Sequence, residues 1–310
     1  MIGSCLVRAL NDRGASNLLL VDDLRSGIKW KNLVGKQFVD LISKHALFDW
    51  LVGKQDQVAA IVHLGACSNT IETDVDYLLE NNTRYSIRLA EWAITHNKRF
   101  LYASSAATYG DGTKGFQDDE ATLEELRPIN PYAFSKQLVD LWMKRTGALR
   151  HVVGLKYFNV FGPNEYHKGH MASMVLKMAQ KAALGGTIQL YRSNEARFAD
   201  GDQCRDFLYV KDAVKMTLLF LSPEGLHKTG IYNIGRGETT TWNALARALF
   251  QALKSPPRIE YIDLPDTLAR QYQNYTCAHM AKFPFPIKTM PIEAAVQEYV
   301  NNYLSQDKRW

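Results

Sequence analysis

Residues 99–110 read R-F-L-Y-A-S-S-A-A-T-Y-G, and the first seven of them decide the fold class. Arg99 to Ala103 is a short, nearly unbroken β-rich run that stops at two serines, Ser104 and Ser105. Such runs suit strands buried on both faces of a parallel sheet. Three others have the same form. Asn17 to Val21 ends in Asp22-Asp23, Val58 to Leu64 ends in Gly65-Ala66, and His151 to Tyr157 ends in Phe158-Asn159. Helical stretches lie between them at Ser4 to Arg13, Asp74 to His96 and Pro131 to Arg145. Gly14 reads as a helix stop and Pro131 as a first helical residue. The alternation predicts an α/β fold with a doubly wound parallel sheet.

After Phe161 prolines, aromatics and long connections become more frequent. Further helices are expected at Met171 to Leu184, Asp212 to Leu221, Thr241 to Lys254 and Pro291 to Leu304. This predicts a first domain over residues 1–160 and a smaller, partly interleaved lobe over 161–310. Segments near 206–222 and 231–254 are expected to return to the first domain.

The 310 residues are 46% hydrophobic and 22% charged, an ordinary globular composition that excludes a disordered chain. No apolar run reaches the roughly 18 residues of a membrane-spanning helix. The first residues lack the basic segment and long apolar stretch of a secretory signal. Cys5, Cys67, Cys204 and Cys277 are far apart and show neither metal-ligand spacing nor a disulfide framework, so a reducing cytoplasm is expected and no metal. The formal charge of +5 is dispersed, without a basic run of five, which suits anionic small molecules rather than nucleic acid.

Ligands of open α/β sheets bind at the carboxyl ends of the strands, and all four runs end there in small or polar residues. The sharpest chemical feature is Pro131-Tyr132-Ala133-Phe134-Ser135-Lys136. Tyr132 and Lys136 are four apart at a helix start and share a face. A phenol ordinarily loses its proton near pH 10, and a nearby ammonium together with a cationic nicotinamide favours the phenolate, which makes tyrosine a usable acid or base. Ser105 is placed to hydrogen-bond the same substrate oxygen. An isolated Y-x-x-x-K also arises on ordinary amphipathic helices, and the upstream S-S-A-A-T-Y-G favours the chemical reading.

Ser104 to Gly110, Tyr132-x-x-x-Lys136 and Tyr157-Phe158-Asn159-Val160-Phe161-Gly162-Pro163 together resemble the extended short-chain dehydrogenase/reductase superfamily, essentially from residue 1 to the last helix. The resemblance implies a Rossmann-type sheet and a nucleotide-sugar enzyme that holds a nicotinamide cofactor. Within that superfamily H-L-G-A-C-S from His63, F-L-Y-A-S-S-A-A-T-Y-G from Phe100, H-K-G-H-M-A-S from His167, R-D-F-L-Y-V from Arg205 and Tyr272-Gln273 resemble the ADP-heptose 6-epimerase family. Members invert carbon 6 of ADP-D-glycero-D-manno-heptose by transient oxidation and re-reduction. A different nucleotide-sugar 4-epimerase or 4,6-dehydratase is the alternative.

The resemblance implies Tyr132 and Lys168 as the two proton-transfer groups, with Ser105 assisting and Lys136 orienting the nicotinamide ribose. From the residues alone, Lys168 reads as a loop lysine or phosphate contact. Implied cofactor contacts are Gly3, Asp22, Asp23, Lys29, Lys44, Leu64, Gly65, Ala66, Cys67, Ser68, Asn81, Lys136, Val160 and Lys168. Asp22 suits the ribose hydroxyls of NAD. The family tends toward NADP, helped by an asparagine next to that Asp and a following lysine. Lys29 matches the lysine, whereas Asp23 replaces the asparagine with a charge that repels a 2′-phosphate, and NADP is expected with NAD as the alternative. Implied substrate contacts are Ser105, Asn159, His170, Lys177, Leu190, Tyr191, Arg192, Ser193, Arg205 and Tyr272, with Arg205 clamping the diphosphate. Lys177 stands where the family often has histidine. The resemblance further implies a homo-oligomer, a pentamer, and a product for the lipopolysaccharide core.

The superfamily opens with a strand and a T-G-G-A-G-F-I-G-S loop, whereas this chain opens Met1-Ile2-Gly3-Ser4 and keeps only the third glycine, Gly3. Without that strand two neighbouring strands lack ladder partners. The expectation is a true start upstream, the alternative an inactive truncated form.

Overall fold

The structure is a computed structural model and describes residues 1–269 and 272–310. The first half runs α1 (Ile2–Asn11), β1 (Leu19–Asp22), β2 (Asp40–Ser43), α2 (Leu47–Leu51), β3 (Ala60–His63), α3 (Val75–Leu78), α4 (Tyr85–Thr95), β4 (Arg99–Ser105), α5 (Pro131–Arg145) and β5 (Val152–Tyr157). The second half runs β6 (Asn159–Phe161), α6 (Met174–Ala183), β7 (Ile188–Tyr191), β8 (Cys204–Arg205), β9 (Phe207–Tyr209), α7 (Val210–Leu219), β10 (Gly230–Ile234), β11 (Thr240–Thr241), α8 (Trp242–Ala252), β12 (Ile259–Ile262), α9 (Asp266–Ala269) and α10 (Ile292–Asn302).

Four parallel strands in the order β10-β5-β4-β3 form the central sheet. Side chains of β4 and β5 alternate between two apolar layers, as the unbroken runs require. Phe100, Tyr102 and Val152 pack with Leu89 and Ala93 of α4 and with Val139 and Met143 of α5. Leu101, Val153 and Leu155 pack on the other face with Ala213 and Met216 of α7 and with Phe220. Truncating a residue as buried as Leu101 to alanine costs about 2–5 kcal/mol.

Among the described residues β1 pairs with β2 in a separate parallel pair, and β3 pairs with β4. The apolar residues Leu19, Leu20, Val21, Ile61 and Val62 are half-buried, whereas those of β4 and β5 are almost all buried. Helices α6, α8 and α10 and the parallel pair β7–β12 gather, with residues of α1 and α7, around a third apolar cluster. Residues 230–234 join the first sheet beside β5, while α8 packs on α10 and α6 instead.

The expected helix over Asp74 to His96 is broken. A π-helical turn, Leu79–Arg84, separates α3 from α4, and Asn82 sits in it fully buried. Strand β2 was not anticipated, because D-L-I-S is too short to carry a period. No helix is long and apolar enough to cross a membrane among the described residues.

Candidate active site

The site is built on the carboxyl ends of β4 and β5 and on the first turns of α5. Asn130 caps α5, its side-chain oxygen accepting the Ala133 N–H at 2.8 Å, and Pro131 occupies the first turn where it sacrifices no helical bond. Ser104 and Ser105 end β4, and the chain turns at once through Ala106–Tyr109. Gly110 closes that turn with φ +65, and a Cβ there would stand 1.9 Å from the Arg127 carbonyl oxygen. The glycine of S-S-A-A-T-Y-G is therefore a requirement of the turn.

Ser105 faces the Tyr132 phenol and lowers its pKa, but burial is the larger effect and holds the phenol above its ordinary value. The expectation that Lys136 pulls this pKa down is not met here. Lys136 turns its ammonium to the Ala103 carbonyl at 2.8 Å, and its own pKa is lowered to about 8 by burial, against an opposing pull from Asp140.

The loop after β3 is brought against this pair. Asn82 accepts the Cys67 N–H at 2.8 Å, donates to the Cys67 carbonyl at 2.9 Å and donates to Ser135 Oγ of α5 at 3.0 Å. Sequence reasoning singled out Asn81 and missed Asn82, which fixes the Leu64, Gly65, Ala66, Cys67, Ser68 loop to the tyrosine helix. Asn81 accepts from Lys44 at 2.6 Å. The neighbouring Asn82 could have been found from the N-N doublet, but not its role.

Four expected cofactor residues meet at the ends of β1 and β2. Lys29 pairs with Asp22, and Asp23 lies between Arg25 at 2.9 Å and Lys44 at 3.7 Å. Arg25 holds the Asp23 carboxyl below its usual range. Arg25 was not anticipated, and it brings the corner to three cations against two carboxylates. The start of α1 lies among Lys168, Lys29 and Asp22, and a Cβ on Gly3 would meet nothing within 4 Å. Open space at a helix start between two lysines fits the diphosphate of a dinucleotide.

Lys168 lies in the 3-10 stretch Tyr166–Met171. Burial lowers its pKa, and Glu165 opposes the shift. Glu165 is itself fully buried and accepts from the Gly162 N–H at 3.2 Å, the Ser173 hydroxyl at 2.8 Å and the Tyr299 hydroxyl at 3.0 Å. His170 reaches Asn69, just past the Cys67 loop, at 3.4 Å. Lys177 spends its ammonium on the His170 carbonyl at 2.6 Å, so it supports the turn rather than pointing free.

A third group surrounds Arg205, which is buried, its pKa lowered by that burial. Its guanidinium lies 5.3 Å from the Tyr272 ring centre and 5.7 Å from that of Trp242, and Tyr191 meets Tyr272 edge-on at 5.8 Å. Gln203 Oε1, Trp242 Nε1 and Asn274 Oδ1 are buried without a hydrogen-bond partner among the described residues. Such atoms are costly unless a ligand completes them. Three expected contacts stand differently. Leu190 points into the core, Arg192 pairs with Asp263 at 3.0 Å, and the Ser193 hydroxyl donates to the Glu195 carbonyl at 2.7 Å. The strand alternation that aims Tyr191 at Tyr272 turns Leu190 inward. Asn159 is exposed at the start of β6 and Val160 half-buried beside it. No cluster of three or more His, Cys, Asp or Glu suited to a metal occurs among the described residues.

The NAD dependent epimerase/dehydratase family matches residues 1–235. A curated ADP-L-glycero-D-manno-heptose-6-epimerase from Nitratidesulfovibrio vulgaris (strain DP4) is 45% identical over 309 residues, 98% of this chain and 95% of its own. One of the same name from Fusobacterium nucleatum is 39% identical over 321 residues, 99% and 96% of the two chains. The crystal structure of a Helicobacter pylori ADP-L-glycero-D-manno-heptose-6-epimerase superposes with TM-score 0.78 at 25% identity, covering 97% of this chain and 92% of that one. A UDP-N-acetylglucosamine 4-epimerase from Methanobrevibacter ruminantium M1 has TM-score 0.80 at 24% identity, covering 99% and 96%, a likeness of fold alone. With its parallel sheet and its Ser105, Tyr132 and Lys136 at the strand ends, the chain belongs to the NAD dependent epimerase/dehydratase family.

Proposed function

We propose that this protein converts ADP-D-glycero-D-manno-heptose to ADP-L-glycero-D-manno-heptose. The observation that carries the reading is a second lysine, Lys168, half-buried on a support separate from the Tyr132–Ser105–Lys136 group, in a chain 45% identical to a curated protein of that name. Carbon 6 of the heptose bears a secondary alcohol and no acidic proton, so direct deprotonation is unattractive. A nicotinamide held at the strand ends, with Lys136 at its ribose, would supply reversible hydride transfer at that carbon.

The chain's own residues then have distinct tasks. Tyr132 exchanges the proton of the carbon-6 oxygen in one orientation of the sugar, with Ser105 hydrogen-bonded to the same oxygen. Lys168, its pKa lowered by burial, serves the other orientation. Lys136 holds the nicotinamide ribose. Arg205, with Tyr191 and Tyr272, takes the diphosphate end of the substrate. A 4-epimerase or dehydratase needs the Tyr132 group but has no evident use for Lys168.

The cofactor reading is NADP. Asp22 and Asp23 are each paired, and Arg25, Lys29 and Lys44 leave the corner net positive, which favours an added phosphate over free ribose hydroxyls. Calorimetric titration with NADP and with NAD tests this, and tighter NAD binding refutes it. The functional reading is tested by incubating the protein with ADP-D-glycero-D-manno-heptose and following the epimer ratio by NMR. Appearance of the L-glycero epimer is expected. No conversion, together with turnover of a UDP- or dTDP-sugar, overturns it.

A further inference from the structure

Asp140 and Lys156 form an ion pair at 2.7 Å with both side chains 0% exposed, and nothing in the proposed reaction uses either. Replacing such a pair by apolar side chains is often neutral or stabilising, so stability does not account for it. Its connections do. Asp140 lies on α5 one turn beyond Lys136 and two beyond Tyr132, on the same stripe. Its carboxylate accepts from the Tyr102 hydroxyl at 2.9 Å and the Ser104 hydroxyl at 2.7 Å, both on β4, and from Lys156 on β5.

Lys156 also donates to Thr108 Oγ1 at 2.6 Å, and the Thr108 hydroxyl donates to the Ser105 carbonyl at 2.8 Å. Gly154 makes room for this network, because a Cβ there would stand 2.6 Å from the Tyr102 hydroxyl. An unbroken set of polar contacts thus runs from the helix that carries Tyr132 to the backbone of Ser105. Apolar packing between α5 and β4 is non-directional and leaves the helix free to slide or roll, whereas hydrogen bonds fix one placement.

We propose that the buried Asp140–Lys156 pair is a positioning device that sets where α5 stands along β4, and so where the Tyr132 phenol stands against Ser105. Neither residue is a catalytic residue. The inference rests on the reading of Tyr132 and Ser105 given above.

The test uses the holoenzyme with ADP-D-glycero-D-manno-heptose. Lys156→Met keeps the side chain's length and removes its charge. Misplacement of reacting groups by roughly 1 Å costs about 10²-fold, so kcat is expected to fall by about that factor while KM and bound cofactor stay within about twofold. Lys156→Arg, which keeps the charge and a donor toward Asp140, is expected to recover most of kcat. Wild-type kcat in Lys156→Met overturns the proposal, as does a loss of kcat matched by lost cofactor and a raised KM. Where Lys156→Met does not yield folded protein, Tyr102→Phe decides. It removes one donor to Asp140 and keeps the ring in the core, and an expected loss of about 10-fold in kcat at unchanged KM supports the proposal, while wild-type kcat overturns it. Tyr132→Phe is measured alongside. Normal turnover there defeats the acid–base reading itself, whereas an inactive Tyr132→Phe beside a fully active Lys156→Met defeats only the positioning role.

Discussion

Tyr132 and Lys168 are held in opposite ways. Tyr132 stands on the second residue of a 15-residue capped helix, laid along two fully paired strands. Lys168 stands on an irregular turn held by a few strong contacts, chiefly a buried carboxylate, Glu165, gathering hydrogen bonds from Gly162, Ser173 and Tyr299, with Lys177 on the His170 carbonyl. A regular element spreads the placement of its side chain over many weak contacts. A turn concentrates it in a few strong ones, so it is easier to break by a single substitution.

The largest expected effect follows from the tyrosine. Tyr132→Phe keeps the ring and should lower turnover by about 10³-fold or more, with cofactor binding unchanged, as steady-state kinetics and cofactor titration will show. Lost cofactor binding would mean that the phenol holds the cofactor. Lys168→Met should lower turnover by about 10²-fold, and full activity would return Lys168 to a surface or phosphate-contact role. Glu165→Gln tests the concentrated support. One amide oxygen cannot replace the carboxylate toward all its donors, so thermal unfolding should show a loss of about 1–3 kcal/mol, with Lys168-dependent turnover falling more than Tyr132-dependent turnover.

The smallest effect is in pH. Burial lowers the Lys136 pKa from 10.5 to about 8, so its ammonium is present below that value and lost as pH rises through it. The kcat/KM profile should fall above about pH 8. Stability should move the other way. Between the two values the unfolded chain binds the proton and the folded chain does not, so this group's contribution to stability rises with pH. A flat kcat/KM profile through pH 8 to 10 would remove Lys136 from the reaction.

The same contrast explains what was legible in the sequence. The α5 boundaries, Pro131 to Arg145, and the strand ends at Ser105 and Tyr157 follow from caps, apolar runs and short spacings, all of them local. Lys168 was recognisable only by resemblance, because a turn held by Tyr299 from far along the chain leaves no local period. Lys156 stood in plain view as a lysine inside V-V-G-L-K-Y, yet its partner lies 16 residues away on another element. Arg25 was overlooked because an exposed arginine in a turn resembles any other, and only the folded corner brings it to Asp23.

The central claim is that two groups on two supports each serve one orientation of the sugar. It is tested most directly by mixing the holo forms of Tyr132→Phe and Lys168→Met with each purified epimer and following cofactor reduction at about 340 nm, the reporter of hydride transfer from either face. The account predicts that each variant retains fast reduction with one epimer and loses it with the other, and that the two variants differ in which epimer they retain. Loss with both epimers in Tyr132→Phe and with neither in Lys168→Met would contradict it.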